Sequence, residues 1–278
     1  MKSRFLQMIL LGIKQFRDPY YQGFAAQMSF YIMLSLVPTL IVLTQILGLL
    51  EISLDILVGW IDAYVAPKMA ETMKDVLAAR PSAAATSNII LVVMALWASS
   101  RAQFSMMRIA NYTYSSGQTT GGFFRERFRS IKNMAITVFT VAFVAIILVY
   151  GKLILTLAMG PIVDGSIIDT VWTWVRWPIA GALYFLLVSY LYYVLPYDKL
   201  GYKEILPGSC FGAIGMLVVT ICYSAYANYV ANYDIIYGSL ASIVALLFWF
   251  YFLSWALCLG IVFNKVWKDT KSRDMFKQ

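Results

Sequence analysis

The sequence predicts an all-α, polytopic membrane protein, and three observations predict it. Of the 278 residues, 61% are apolar and only 13% are charged, about half the ~25% charged share of a soluble domain. The apolar residues come in long unbroken blocks rather than amphipathic stripes, the pattern of segments whose solvent is lipid. Each block exceeds the ~20 residues needed to cross the hydrocarbon core. With no water there for backbone groups, these segments must be helices.

The chain reads as a single membrane domain over residues 1–278, with an amphipathic helix over 1–18. In it Phe5, Met8, Ile9, Ile13 and Phe16 recur at helical intervals with basic residues between them, which predicts a helix lying on the cytoplasmic leaflet. It lacks the small-residue cleavage site of a signal peptide, and Asp18-Pro19 ends it. Six spans follow: Phe24–Leu50, Ser87–Asn111, Ile131–Ala158, Asp169–Leu195, Ile205–Val230 and Gly238–Trp267. The longest link, residues 51–86, holds five acids against three bases. Its apolar faces (Ile52 to Tyr64, then Met69 to Leu77, with Pro67 in a first turn) predict short helices on the outer membrane surface. Trp172, Trp174 and Trp177 at one end of span four, and Tyr190, Tyr192, Tyr193 and Tyr197 at the other, form an aromatic belt. Residues 268–278 are a basic tail.

The net charge of +8 is a topology signal rather than a sign of nucleic acid. Lysines and arginines gather at the N-terminus, in the link Arg125–Lys132 and in the tail, whereas the turns Gly160–Ile168 and Ala231–Tyr237 have none. The positive-inside rule then puts both termini in the cytoplasm, consistent with an even number of spans. Membrane lipids are the expected partners, and the basic surplus adds attraction to their anionic heads. Cys210, Cys222 and Cys258 form no metal-like spacing. No metal or cofactor site is expected.

Three stretches together resemble one family: "FAAQMSFYIMLSLVP" opening span one, "LWASSRA" in span two, and "IYGSLASIVALLFWFYFLSWALCLGIVFNKV" forming span six. They resemble the YihY/BrkB family of bacterial inner-membrane proteins over essentially the whole chain. The most specific elements are Tyr237-Gly238 at the entry to span six and Gly260-x-x-x-Asn264 at its exit. Members of this family carry labels as virulence factors, as transporters and as a ribonuclease. Nuclease chemistry needs general acids and bases or clustered metal-binding carboxylates. This chain has no histidine, and its acids are scattered through loops and span ends. Catalysis on RNA is therefore not expected.

Ionisable residues inside spans are the candidate site. Arg101 lies about ten residues, roughly 15 Å, from the inner end of span two. It either satisfies backbone carbonyls and hydroxyls or contacts a ligand, with Ser99, Ser100, Gln103 and Ser105 nearby. Arg108 and Trp97 project from nearly the same face, Arg108 as a snorkelling anchor. Span one supplies a polar stripe, Gln27, Tyr31, Ser35 and Thr39, which reads as inter-helix glue or as the lining of a path. Pro38 beside it bends the helix. Lys152 and Arg176 sit at similar depth in the outer half, where Asp169 can neutralise Arg176. Asp234 beside Tyr237 is either a solvated turn residue or an entrance group. Gly208, Gly212, Gly215, Gly238, Gly260 and Asn264 read as helix packing, within one chain or across a dimer.

The spans hold cations and almost no deep carboxylate, which argues against a carboxylate proton relay. A substrate held inside would be an anion, or an amphiphile with an anionic head. The expectation is a transporter or flippase without catalytic residues. The alternative is a membrane scaffold that binds lipid or protein.

Overall fold

The computed structural model describes residues 4–49, 58, 59, 62, 70, 71, 74, 85–115, 117, 122–159, 164–198, 200–229 and 240–275. Among them seven helices run in order: α1 (Arg4–Phe16), α2 (Pro19–Leu49), α3 (Ala85–Ser115), α4 (Phe123–Met159), α5 (Gly165–Val194), α6 (Tyr202–Tyr229) and α7 (Ala241–Met275). The described residues contain no strand.

Gly165–Val194, Tyr202–Tyr226 and Ile243–Lys271 are long and apolar enough to cross a membrane by length and composition. The helices α2, α3 and α4 have 31, 31 and 37 residues, and 31 residues at ~1.5 Å each give roughly 45 Å of helix. Each long helix packs against the next in chain order, and α7 returns to pack against α2, so the six close into a ring.

Asp18 separates α1 from α2. Pro19 takes the first helical position, where its missing donor costs nothing, and Asp18 Oδ1 accepts the Tyr20 backbone N–H at 3.0 Å as an N-cap. This side-chain cap lets a new helix start one residue after a break. Helix α1 lies on α7, with Phe16 against Trp255 at 5.0 Å. Met8 and Leu11 reach the core, while Leu6, Ile9, Leu10 and Ile13 stay exposed.

The main core is built from Tyr21, Ala25 and Met28 of α2, Met106, Met107 and Ile109 of α3, Val188 and Tyr192 of α5, Ile205 of α6 and Leu257, Ile261 and Val262 of α7. Large apolar side chains such as Phe30, Leu34, Phe139, Phe143, Ile221 and Phe252 point outward and remain exposed. An apolar exterior of this extent suits a lipid solvent, since soluble monomers seldom show large contiguous apolar patches.

Glycines let α6 and α7 touch. A β-carbon at Gly208 would collide with the Gly260 carbonyl and the Asn264 amide, and one at Gly260 would lie 2.8 Å from the Gly208 carbonyl oxygen. The Tyr192 hydroxyl fits between the helices and donates to the Leu257 carbonyl at 2.8 Å. Asn264, fully buried, accepts the Gly208 N–H at 2.7 Å, just after Pro207 interrupts the regular ladder. Gly215 meets Ala256 at an ordinary 3.4 Å. These glycines make close approach inside one chain.

The structure corrects one expectation. The basic stretch 125–129, read as a link before Ile131, is helical, because α4 starts at Phe123. The Asp169 carboxylate bonds Lys152 at 2.7 Å across the α4–α5 hairpin. In the link 51–86, positions 58, 59, 62, 70, 71 and 74 are helical, and Lys74 bonds Asp62 at 2.7 Å.

Candidate functional site

The antiparallel packing of α2 on α3 brings Tyr31 under Arg101, whose guanidinium carbon is 5.9 Å from the ring centroid. The first turns of α4 then bring in Arg127. Its guanidinium lies 4.0 Å from the centroid of the Trp97 ring and donates to the Trp97 carbonyl at 2.9 Å. Arg127 is only 5% exposed. Burial pulls its pKa down, the nearby positive charge of Arg101 pulls it down further, and the Tyr31 phenol acts the other way. Arg101, Arg127 and Tyr31 therefore sit within electrostatic reach of one another. Among the described residues no carboxylate bonds either arginine.

The α3–α4 seam around this pair is polar. Ser100 is fully buried and donates to the Trp97 carbonyl at 2.7 Å, and Ser130 donates to the Ser100 carbonyl. Gln103 Nε2 donates to Thr137 Oγ1 at 3.2 Å. Gln103 Oε1, Ser105 Oγ, Arg127 Nε and Asn133 Nδ2 are buried without a hydrogen-bond partner among the described residues. Each such atom costs ~1–3 kcal/mol in a dry setting, so the seam has chemistry to offer water or a polar ligand.

The other sequence candidates fall into three groups. Gln27 is half-buried a turn from Tyr31. Ser35 is buried and turns its hydroxyl back to the Ile32 carbonyl at 2.9 Å. The side chains of Pro38 and Thr39 lie outside the described ones, as do residues Asp234, Tyr237 and Gly238. Arg108 is exposed and acts electrostatically on Glu126. Lys152 and half-buried Arg176 lie on α4 and α5, away from the α2–α3 contact.

Arg127 is the residue that the reading of the sequence missed. A signal for it exists: Arg127, Ser130, Asn133 and Thr137 recur every three or four residues along α4, one polar face of a helix. Arg129, next in the basic run, is also engaged. Its Nη2 donates to the carbonyls of Val194, Leu195 and Pro196, the Leu195 bond being 2.9 Å. A cation there complements the C-terminal end of α5.

A ring of long apolar helices with an apolar exterior, holding buried Arg127 and half-buried Arg101, defines a helical integral membrane protein. A family model described as Virulence factor BrkB matches residues 13–277, and the chain belongs to that family. A Bacillus subtilis protein named as ribonuclease-like, YfkH, is 28% identical over 241 residues, covering 86% of this chain and 87% of that protein. The UPF0761 membrane protein PSHAa0171 of Pseudoalteromonas translucida is 32% identical over 69 residues, covering 25% of this chain and 23% of that protein. No solved structure matches.

Proposed function

We propose that this protein is a six-span, non-catalytic transporter or flippase of the bacterial cytoplasmic membrane. Both termini lie in the cytoplasm, and its substrate is an anion or an amphiphile with an anionic head. The observation that carries the reading is the convergence of Arg101 and Arg127. Two guanidiniums repel, so holding them near each other with no bonded carboxylate among the described residues favours an anion between or beside them. Planar donor forks suit phosphate and carboxylate groups.

In this reading Gln27, Tyr31, Ser35, Ser100 and Thr39 line the path beside the arginine pair, and Pro38 allows it to bend. Lys152, Arg176, Asp234 and Tyr237 serve the outer entrance. The ribonuclease-like name of the YfkH relative does not transfer readily. The chain has no histidine, and the two arginines supply no general base at neutral pH.

The test uses proteoliposomes with two probes, fluorescently labelled phosphatidylglycerol for flipping and a soluble organic anion for efflux. Arg101→Lys keeps the charge but loses the fork, so flux falls in part. Arg101→Ala and Arg127→Ala abolish it, and Arg101→Ala does so with the melting temperature nearly unchanged. A wild-type protein that moves neither probe overturns the reading in favour of a scaffold. Unchanged flux with a lowered melting temperature in Arg101→Ala overturns the role of the pair.

A further inference from the structure

A second polar site lies at the junction of α1, α2 and α3, separate from the arginine pair. Gln15, Asp18, Tyr21, Tyr112 and Thr113 line an open pocket of about 320 Å³. Asp18 is the one charged residue in this wall. Its Oδ2 accepts the Tyr112 hydroxyl at 2.7 Å, and the Tyr21 and Thr113 hydroxyls bond each other at 3.0 Å. Gln15 Oε1 is buried without a hydrogen-bond partner among the described residues. The rings of Tyr20, Tyr21 and Phe24 stand 5.5, 5.8 and 5.5 Å from the Tyr112 ring. Aromatic rings therefore cluster around Tyr112, the tyrosine that bonds the carboxylate.

We propose that this pocket binds a small organic cation, a primary or quaternary ammonium group, between the Asp18 carboxylate and the faces of Tyr21 and Tyr112. Oxygen acceptors, one negative charge and aromatic faces are the recognition chemistry of ammonium ions. An anion would meet the Asp18 charge directly. A divalent metal needs more carboxylates than one, and the space is about ten times the ~30 Å³ share of a single water, too large for a bare ion. The hydrogen bond to Asp18 pushes the Tyr112 phenol up to about 12, so the phenol stays a donor at neutral pH.

The ammonium group has two possible sources, a free amine or an ethanolamine lipid head. Titration calorimetry of the detergent-solubilised full chain with ethanolamine and choline addresses the first. Retention of phosphatidylethanolamine over phosphatidylglycerol from mixed micelles addresses the second. Asp18→Asn keeps the helix cap, since Asn caps as well as Asp, and removes the charge. At constant ionic strength, saturable binding of an amine or selective retention of the ethanolamine lipid is expected, weakened at least tenfold by Asp18→Asn. Tyr112→Phe removes the hydroxyl and leaves the aromatic face, so it should weaken binding less than Asp18→Asn. Equal binding of glycerol, binding of sodium but no amine, no selective binding from either source, or full affinity in Asp18→Asn overturns the proposal.

Discussion

Arg127 stacks on the indole of Trp97, 4.0 Å from the ring centroid, and donates to the carbonyl of the same residue at 2.9 Å. One residue of α3 thus offers both an aromatic face and an acceptor to a buried cation on α4. That carbonyl also accepts the Ser100 hydroxyl. A desolvated cation–π contact contributes ~2 kcal/mol, against ~0.5–1 when exposed.

Trp97→Phe should therefore keep the stack with a weaker face, and Trp97→Ala should lose it. Thermal melting in detergent is expected to rank wild type above Phe and Phe above Ala. The anion flux should follow the same order, because Arg127 loses its position before it loses its charge. If Ala and Phe melt alike, the stack does not hold Arg127.

The Tyr192 hydroxyl between α6 and α7 gives a test of packing with an internal control. The nearest atoms to a β-carbon at Gly212 belong to Tyr192, its hydroxyl at 2.5 Å, whereas one at Gly260 also faces the Gly208 carbonyl at 2.8 Å. Overpacking of this kind costs ~1–3 kcal/mol. Gly212→Ala and Gly260→Ala should both lower the melting temperature. Tyr192→Phe should rescue Gly212→Ala almost fully but Gly260→Ala only in part. Equal rescue of the two would show that the Gly208 carbonyl gives way.

Glu126 should be a pH-dependent liability. It is buried in the first turn of α4, and its Oε1 has no hydrogen-bond partner among the described residues. Burial raises its pKa, and the positive charges of Arg129 and Arg108 only partly offset this. A carboxyl raised on folding binds its proton more tightly in the folded state. Stability therefore falls as pH rises from the unfolded value, ~4.3, through the raised folded value. Glu126→Gln should stabilise at pH 7, by about 1 kcal/mol, and much less at pH 4. Melting curves at both values check it, and equal gain at both would remove ionisation as the cause.

The long helices were legible because their apolar blocks are unbroken: span two, read as Ser87–Asn111, corresponds to α3 at Ala85–Ser115. The start of α4 was not, because Arg125, Arg127 and Arg129 read as a solvated cluster. Alternate residues of a helix point in different directions. Hence Arg127 turns inward to Trp97, Arg129 to the end of α5, and Arg125 stays exposed. Arg101 was legible as a cost in lipid, but its companion was hidden by sequence distance and by the topology rule that explained its charge. The Asp18 pocket escaped for another reason. Asp18-Pro19 reads fully as a helix break, and nothing local announces that Tyr112, far along the chain, bonds the same carboxylate.

The hold of Trp97 on Arg127 also bears on biogenesis. Synthesis delivers α3 before α4, so Trp97 leaves the ribosome before Arg127 does. Arg127 lies near the start of α4, where a charge costs less than the ~2.5–3.5 kcal/mol of a helix centre. A docking partner presented by the preceding helix lowers that cost further. The seating of α4 thus depends on α3 having arrived first.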